Sequence, residues 1–130
     1  MAAGCAGAGK GWGMEEAFCR TRLLLGGEAM ERLAAARVAV FGIGGVGGHA
    51  VEALARSGIG QLDLIDSDKV SVSNINRQLI ATHSAVGRYK VDVMEARIRD
   101  INPRAVVRVF PCFFLPENAG QFPFEAYDYV

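Results

Sequence analysis

Cysteine is sparse in this chain of 130 residues, and Cys5, Cys19 and Cys112 stand far apart. None belongs to a C-x-x-C pair, so the spacing spells out neither a zinc knuckle nor a disulfide framework, and the usage suits a reducing cytoplasm. Histidine is scarcer still: His49 and His83 have no metal-ligand partner at useful spacing and read as structural, so no metal ligands are assigned. An excess of charge of either sign is also missing. Fourteen Lys and Arg balance fourteen Asp and Glu, so no global field draws the chain to nucleic acid or to a membrane surface. No apolar run approaches the roughly 18 residues that cross a bilayer. The Gly/Ala-rich start carries one lysine and no apolar signal-peptide core. Residues 1–14 therefore read as a flexible leader, and residues 15–130 as the structured part.

What is present is an ordinary globular balance, with 51% hydrophobic and 22% charged residues, in a length that suits about one domain. Charge is uneven locally. Between Arg77 and Arg108 seven Lys or Arg face three acids. That pattern fits a solvated helix face with its loop, or the surroundings of an anionic ligand such as ATP or tRNA. Residues 4–10 match G-x-x-x-x-G-K, but Gly11 stands where a Ser or Thr would ligate magnesium and no strand precedes it, so a P-loop is rejected.

The periodicity predicts helices over 15–25 and 28–36, split by Gly26-Gly27, then a valine-rich buried strand over 37–41. A glycine turn follows over 42–48, then a helix over 48–57 with Gly58 as its cap, and a second strand over 62–65 ending at Asp66. Strand, glycine turn, helix and strand in about 30 residues form a βαβ unit. A long polar stretch over 67–88, with a short helix near 74–80, precedes a helix over 90–102 stopped by Pro103. A third strand runs over 105–110, a connection over 116–124, and another apolar run begins at Tyr127. The expected fold is α/β: a Rossmann-like, doubly wound, mostly parallel sheet with flanking helices, incomplete at the C-terminus.

Chemistry concentrates in two places. Gly42, Gly44, Gly45 and Gly47 spell G-x-G-x-x-G after a strand and before a helix. There glycine permits the tight turn, and the helix N-terminus presents free N–H groups to a phosphate. Asp66, at the end of the second strand, stands where a carboxylate accepts ribose hydroxyls. Up to this point an NAD-dependent dehydrogenase fits equally well. The next stretch holds Asp68, then Asn74, Arg77 and Gln78, with Lys90 opening the following helix. Cations beside the phosphates suit a site that breaks ATP between its α and β phosphorus atoms, because charge builds there in the transition state.

GIGGVG at 42–47, SGIGQLDLIDSDKVSVSNINRQ at 57–78 and VGRYK at 86–90 resemble the ubiquitin-activating-enzyme superfamily, which includes the adenylyltransferases of thiamine and molybdopterin biosynthesis. Within it, CRTRLLLGGEAMERL, NINRQLIATH and LPENA are most similar to the tRNA threonylcarbamoyladenosine dehydratases. The resemblance implies that Gly42, Gly44, Gly45 and Gly47 line the phosphates and Asp66 holds the ribose. It further implies that Asn74, Arg77, Gln78 and Lys90 contact the triphosphate, with Arg77 and Lys90 stabilising the transition state. Arg20, or its neighbour Arg22, would reach the site of a partner subunit in a homodimer, and Asp68 would belong to the acidic pair. ATP and Mg2+ are the implied cofactors, with the metal-binding aspartate expected beyond Val130, so residues 1–130 alone are expected to be inactive. The implied partners are tRNA or, in the alternative, a sulfur-transfer or ubiquitin-like carrier protein. A nucleotide-binding module without chemistry stays open beside these.

Overall fold

The structure, a computed structural model, describes residues 14–130. Apart from Met14, the expected leader lies outside the described residues. The helix expected over 15–25 is two: α1 (Met14–Ala17) and α2 (Cys19–Leu25). Phe18 breaks them at φ −106°, ψ 10°, where its ring approaches Gly58. A tertiary contact here outweighs helix propensity. α3 (Gly27–Ala35) leads into β1 (Arg37–Phe41). Among the described residues Cys112 is a free thiol.

The βαβ unit is present as β1, α4 (Gly47–Arg56) and β2 (Gln61–Ile65), followed by α5 (Lys90–Ile101) and β3 (Val106–Phe110). All three strands are parallel in the order β1-β2-β3, with Val38, Leu62 and Val107 in one register row. On the free side of β1, Val38 forms a parallel bridge with Tyr129, and the Ala39 N–H donates to the Tyr129 carbonyl at 3.1 Å. The chain thus leaves β3 and returns beside β1. That reversal opens a crevice at the carboxyl ends of the strands, where ligands of open α/β sheets bind.

Alternation assigns the faces. Val38, Val40, Leu62, Leu64, Val107 and Val109 point to the layer of α4 and α5, against Val51, Ala55, Val91, Met94 and Ile98. Both helices therefore present an apolar stripe to the sheet. Glu52 of α4 ties them together by accepting from Arg97 of α5 at 2.6 Å, and this hydrogen bond holds its carboxyl below the usual range. Ala39, Phe41, Ile65 and Phe110 face the other way, under Phe122 and Tyr127 from the segment that follows β3. The centre of that face is charged. Asp63 is fully buried in β2 and accepts from Arg37, Arg108 and the Tyr127 hydroxyl. The fold is the Rossmann-like parallel sheet with flanking helices that the sequence predicts.

Candidate nucleotide site

β1 ends at Phe41, and the backbone turns at Gly42, whose φ of +96° lies in the left-handed region. Its N–H donates to the Ile65 carbonyl at 2.7 Å, anchoring the turn to β2. A Cβ on Gly47 would run into the Gly42 carbonyl, so only glycine lets α4 start this close to β1. Gly47→Ala should therefore force the turn apart, lowering stability by about 1–3 kcal/mol and weakening ATP binding at least about tenfold. A thermal melt and an ATP titration check both. An unchanged ATP affinity would show that the close approach at Gly47 has no bearing on a nucleotide.

The N–H groups of Gly44, Gly45 and Val46 make no hydrogen bond among the described residues. They precede α4 without a side-chain cap, an arrangement that favours an anion. Asp66, half-exposed at the end of β2, braces the turn. One carboxylate oxygen accepts from the Ile43 N–H at 2.7 Å and the other from the Asp68 N–H at 2.7 Å. Each oxygen keeps acceptor capacity for a further donor such as a ribose hydroxyl.

The loop after Asp66 is ordered by its own backbone. Val70 and Gly87 N–H groups donate to Arg88 and Val70 carbonyls, and Lys90 N–H donates to Asp68 at 3.0 Å. This pairing brings the start of α5 to the end of β2. The Lys90 side chain is buried, at 5% exposure, with its ammonium 3.5 Å from the Asp68 carboxylate. The short helix expected near 74–80 is not formed: the stretch between them carries 3-10 turns at Val72–Asn74 and His83–Ala85, and residues 75–80 make only turns. Asn74 Oδ1 accepts from the Ser71 N–H at 3.0 Å, so its amide shapes the loop. The Arg77 stem lies against Gly45 and the Gln78 amide against Gly44. Arg77 donates to the Ser73 carbonyl at 3.0 Å and to Asn76 at 2.9 Å. Gln78 is buried, and its Oε1 has no hydrogen-bond partner among the described residues.

The structure therefore gathers Gly42, Gly44, Gly45, Gly47, Asp66, Arg77 and Gln78 around one turn, and pairs Asp68 with Lys90 beside it. Arg20 is not brought to this group. It is exposed on α2, and that helix packs on α3 towards the amino ends of the strands, where Phe18 and Arg22 meet Gly58 and Gly60. The basic run also divides: Arg97, Arg99 and Arg108 pair with Glu52, Glu95 and Asp63, Arg104 lies with Gly58 and Gly60, Arg88 is exposed, Arg77 lies against Gly45 and Lys90 pairs with Asp68.

Sequence reasoning missed one wall. A hollow of about 240 Å³ opens between Gly42, Asp66 and Asp68 on one side and Phe41, Phe113 and Phe114 on the other. Phe113 and Phe114 follow Pro111 in a run without strand or helix periodicity, and nothing in that pattern shows which way they face. Cys112 lines the same hollow and packs on the Ile65–Phe122 cluster. Exposed His83 and His49 take no part. An anionic head at the turn and a flat apolar group against the phenylalanines together describe a nucleotide.

Comparison with known proteins agrees. The tRNA threonylcarbamoyladenosine dehydratase of Bacillus subtilis is 50% identical over 113 residues, which cover 87% of this chain and 44% of that protein. A crystal structure of the Escherichia coli dehydratase of that name, in complex with ATP, superposes with a TM-score of 0.86 at 47% identity, covering 88% of this chain and 47% of the other. The sulfur carrier protein adenylyltransferase of Thermus thermophilus is 37% identical over 95 residues, covering 73% of this chain and 35% of that protein. The chain spans less than half the length of these relatives. The sequence model of the ThiF family matches residues 18–130, and on that match the chain belongs to the ThiF family.

Proposed function

We propose that this protein activates a carboxylate by adenylation with ATP, and that residues 15–130 form the N-terminal part of the adenylation domain. The observation that carries the reading is the fold of the Asp66–Lys90 stretch. It returns Arg77 and Gln78 onto Gly44 and Gly45 and buries Lys90 beside Asp68. A dinucleotide site has no need of two cations there.

A carboxylate is ionised at neutral pH and attacks the α-phosphorus without a general base. A bond forms between a carboxylate oxygen and that phosphorus, the bond to the bridging oxygen breaks, and pyrophosphate leaves with the electron pair. The protein supplies alignment and fixed positive charge. In this reading the free N–H groups at Gly44 to Val46 hold phosphate oxygens, and Asp66 takes the ribose while bracing the turn. Arg77, released from Ser73 and Asn76, follows the developing charge together with Lys90, whose ammonium Asp68 positions. Asn74 and Gln78 complete the triphosphate contacts. Arg20 serves a second subunit of a homodimer, consistent with its distance from this chain's own turn. Among the described residues no group of three His, Cys, Asp or Glu could hold a metal ion.

For the acceptor, the similarity to the Bacillus and Escherichia dehydratases supports the threonylcarbamoyl carboxylate of modified tRNA; attack on its adenylate from within the same group closes the ring and expels AMP, so that the substrate has lost the elements of water overall. A cytoplasmic setting goes with that substrate. No helix among the described residues is long and apolar enough to cross a membrane. The test is ATP–pyrophosphate exchange on the protein at the full length of its relatives. Exchange dependent on tRNA bearing threonylcarbamoyladenosine is expected. Exchange driven instead by a carrier-protein C-terminus would move the substrate to the sulfur-transfer branch, and tight NAD binding without ATP binding would end the adenylation reading.

A further inference from the structure

Asn76 is the one polar residue between Asn74 and Gln78 to which the nucleotide site gives no part. It is exposed, and its side chain makes a single hydrogen bond among the described residues, accepting from Arg77 Nη1 at 2.9 Å. The fold of the loop does not rest on that side chain. The neighbouring turn is closed by Asn74, which accepts from the Ser71 N–H at 3.0 Å.

The Arg77 side chain is divided between two places. Its Cγ lies against Gly45 at the glycine turn, while Nη1 folds back onto two neutral acceptors, the Ser73 carbonyl at 3.0 Å and Asn76 Oδ1. Among the described residues Nε and Nη2 have no partner, and no carboxylate pairs with the guanidinium. Neutral acceptors hold a cation about half as strongly as ionised ones do. Such a hold gives the guanidinium one resting position and yields when phosphate charge develops. Rotation about the bonds beyond Cγ then turns the head while the stem stays at Gly45.

We propose, resting on the adenylation reading and the part it gives Arg77, that Asn76 is a positioning residue for that arginine. It acts as a neutral latch, keeping the guanidinium turned back until charge builds on the phosphates. The latch stabilises the state before reaction and is open in the transition state. Loosening it therefore speeds the step, and tightening it slows the step. Alanine at this position removes one of the two acceptors. Aspartate keeps an acceptor at the same reach and makes it a charged one.

The test is ATP–pyrophosphate exchange on the protein at the full length of its relatives, with saturating ATP and tRNA bearing threonylcarbamoyladenosine. Asn76→Ala should raise the rate about threefold, and Asn76→Asp should lower it about fivefold at low salt. The deficit of Asn76→Asp, taken against the parent at the same salt, should shrink between about 0.05 and 0.2 M. In an Arg77→Ala background both substitutions should change the residual rate by less than about twofold, because the group they act through is gone. Losses in both variants, no change in either, or the same changes without Arg77 would each overturn the latch, since a structural role lowers both rates and needs no arginine. Full exchange in Arg77→Ala alone would instead remove the part given to Arg77 and the latch with it, so the two failures read differently.

Discussion

Arg77→Ala is expected to lower ATP–pyrophosphate exchange by about a thousandfold, in the range of an arginine that meets charge developing on a transferred phosphoryl group. Stability should hardly move. The Arg77 guanidinium is exposed, and its bonds go to the Ser73 carbonyl and the Asn76 amide within its own turn. Substitution at such a position stays within about 0.5 kcal/mol. ATP affinity should fall far less than the rate, because the interaction strengthens only as charge builds on the phosphate oxygens. Arg77→Lys, with one compact ammonium in place of a planar fork, should retain a fraction of the rate between the two. Exchange retained in Arg77→Ala would remove this arginine from the chemistry, while loss of exchange together with a collapsed melt would assign it to folding. Measuring both on the same preparation separates the cases.

How much of this was legible beforehand follows from where each interaction is encoded. β1 and α5 carry their own signals. A valine-rich run bounded by a glycine turn can hardly be other than a buried strand, and the stripe of Val91, Met94 and Ile98 ends at Pro103 as the pattern requires. The glycine turn was readable because its chemistry lies within six consecutive residues. Arg77, Gln78 and Lys90 were readable as a sequence pattern, but their placement was not. It depends on the pairing of residues 68–70 with 87–90, which shows no alternation long enough to announce a strand. The break at Phe18 depends on Gly58, forty residues away, and local propensity is blind to that. The phenylalanine wall escaped for the same reason: Phe114 takes its position from packing with Phe41, Phe122 and Phe124. Asp63 was visible as a letter in a strand, yet alternation assigns only its face. Its burial comes from Tyr127, sixty-four positions later.

That buried carboxylate carries the largest expected effect on stability. Asp63 is fully enclosed, 2.8 Å from the Arg37 guanidinium, 3.2 Å from Arg108 and 2.9 Å from the Tyr127 hydroxyl. It joins all three strands to the segment that returns beside β1. Arg37 also lies over the Tyr127 ring, 5.1 Å from its centre. Asp63→Ala leaves two guanidinium groups facing a cavity with no counter-charge. Removing one partner of a buried ion pair costs about 3–5 kcal/mol, so a fall in Tm of about 10 °C or more is expected. A shift of a degree or two would mean that Arg37 and Arg108 reach water freely and that the network adds little. The same cluster predicts a pH response. Burial, then the hydrogen bond to Asp63, pushes the Tyr127 hydroxyl up to about 12, above its unfolded value near 10. The folded state holds this proton more tightly. The contribution is therefore complete below pH ~10 and is lost as pH rises through the folded value. Tyr127→Phe should lower stability at neutral pH and flatten its decline between those limits. A Tyr127→Phe protein that loses stability over this window as steeply as the parent would place the alkaline transition on another group and leave Asp63 held by the arginines alone.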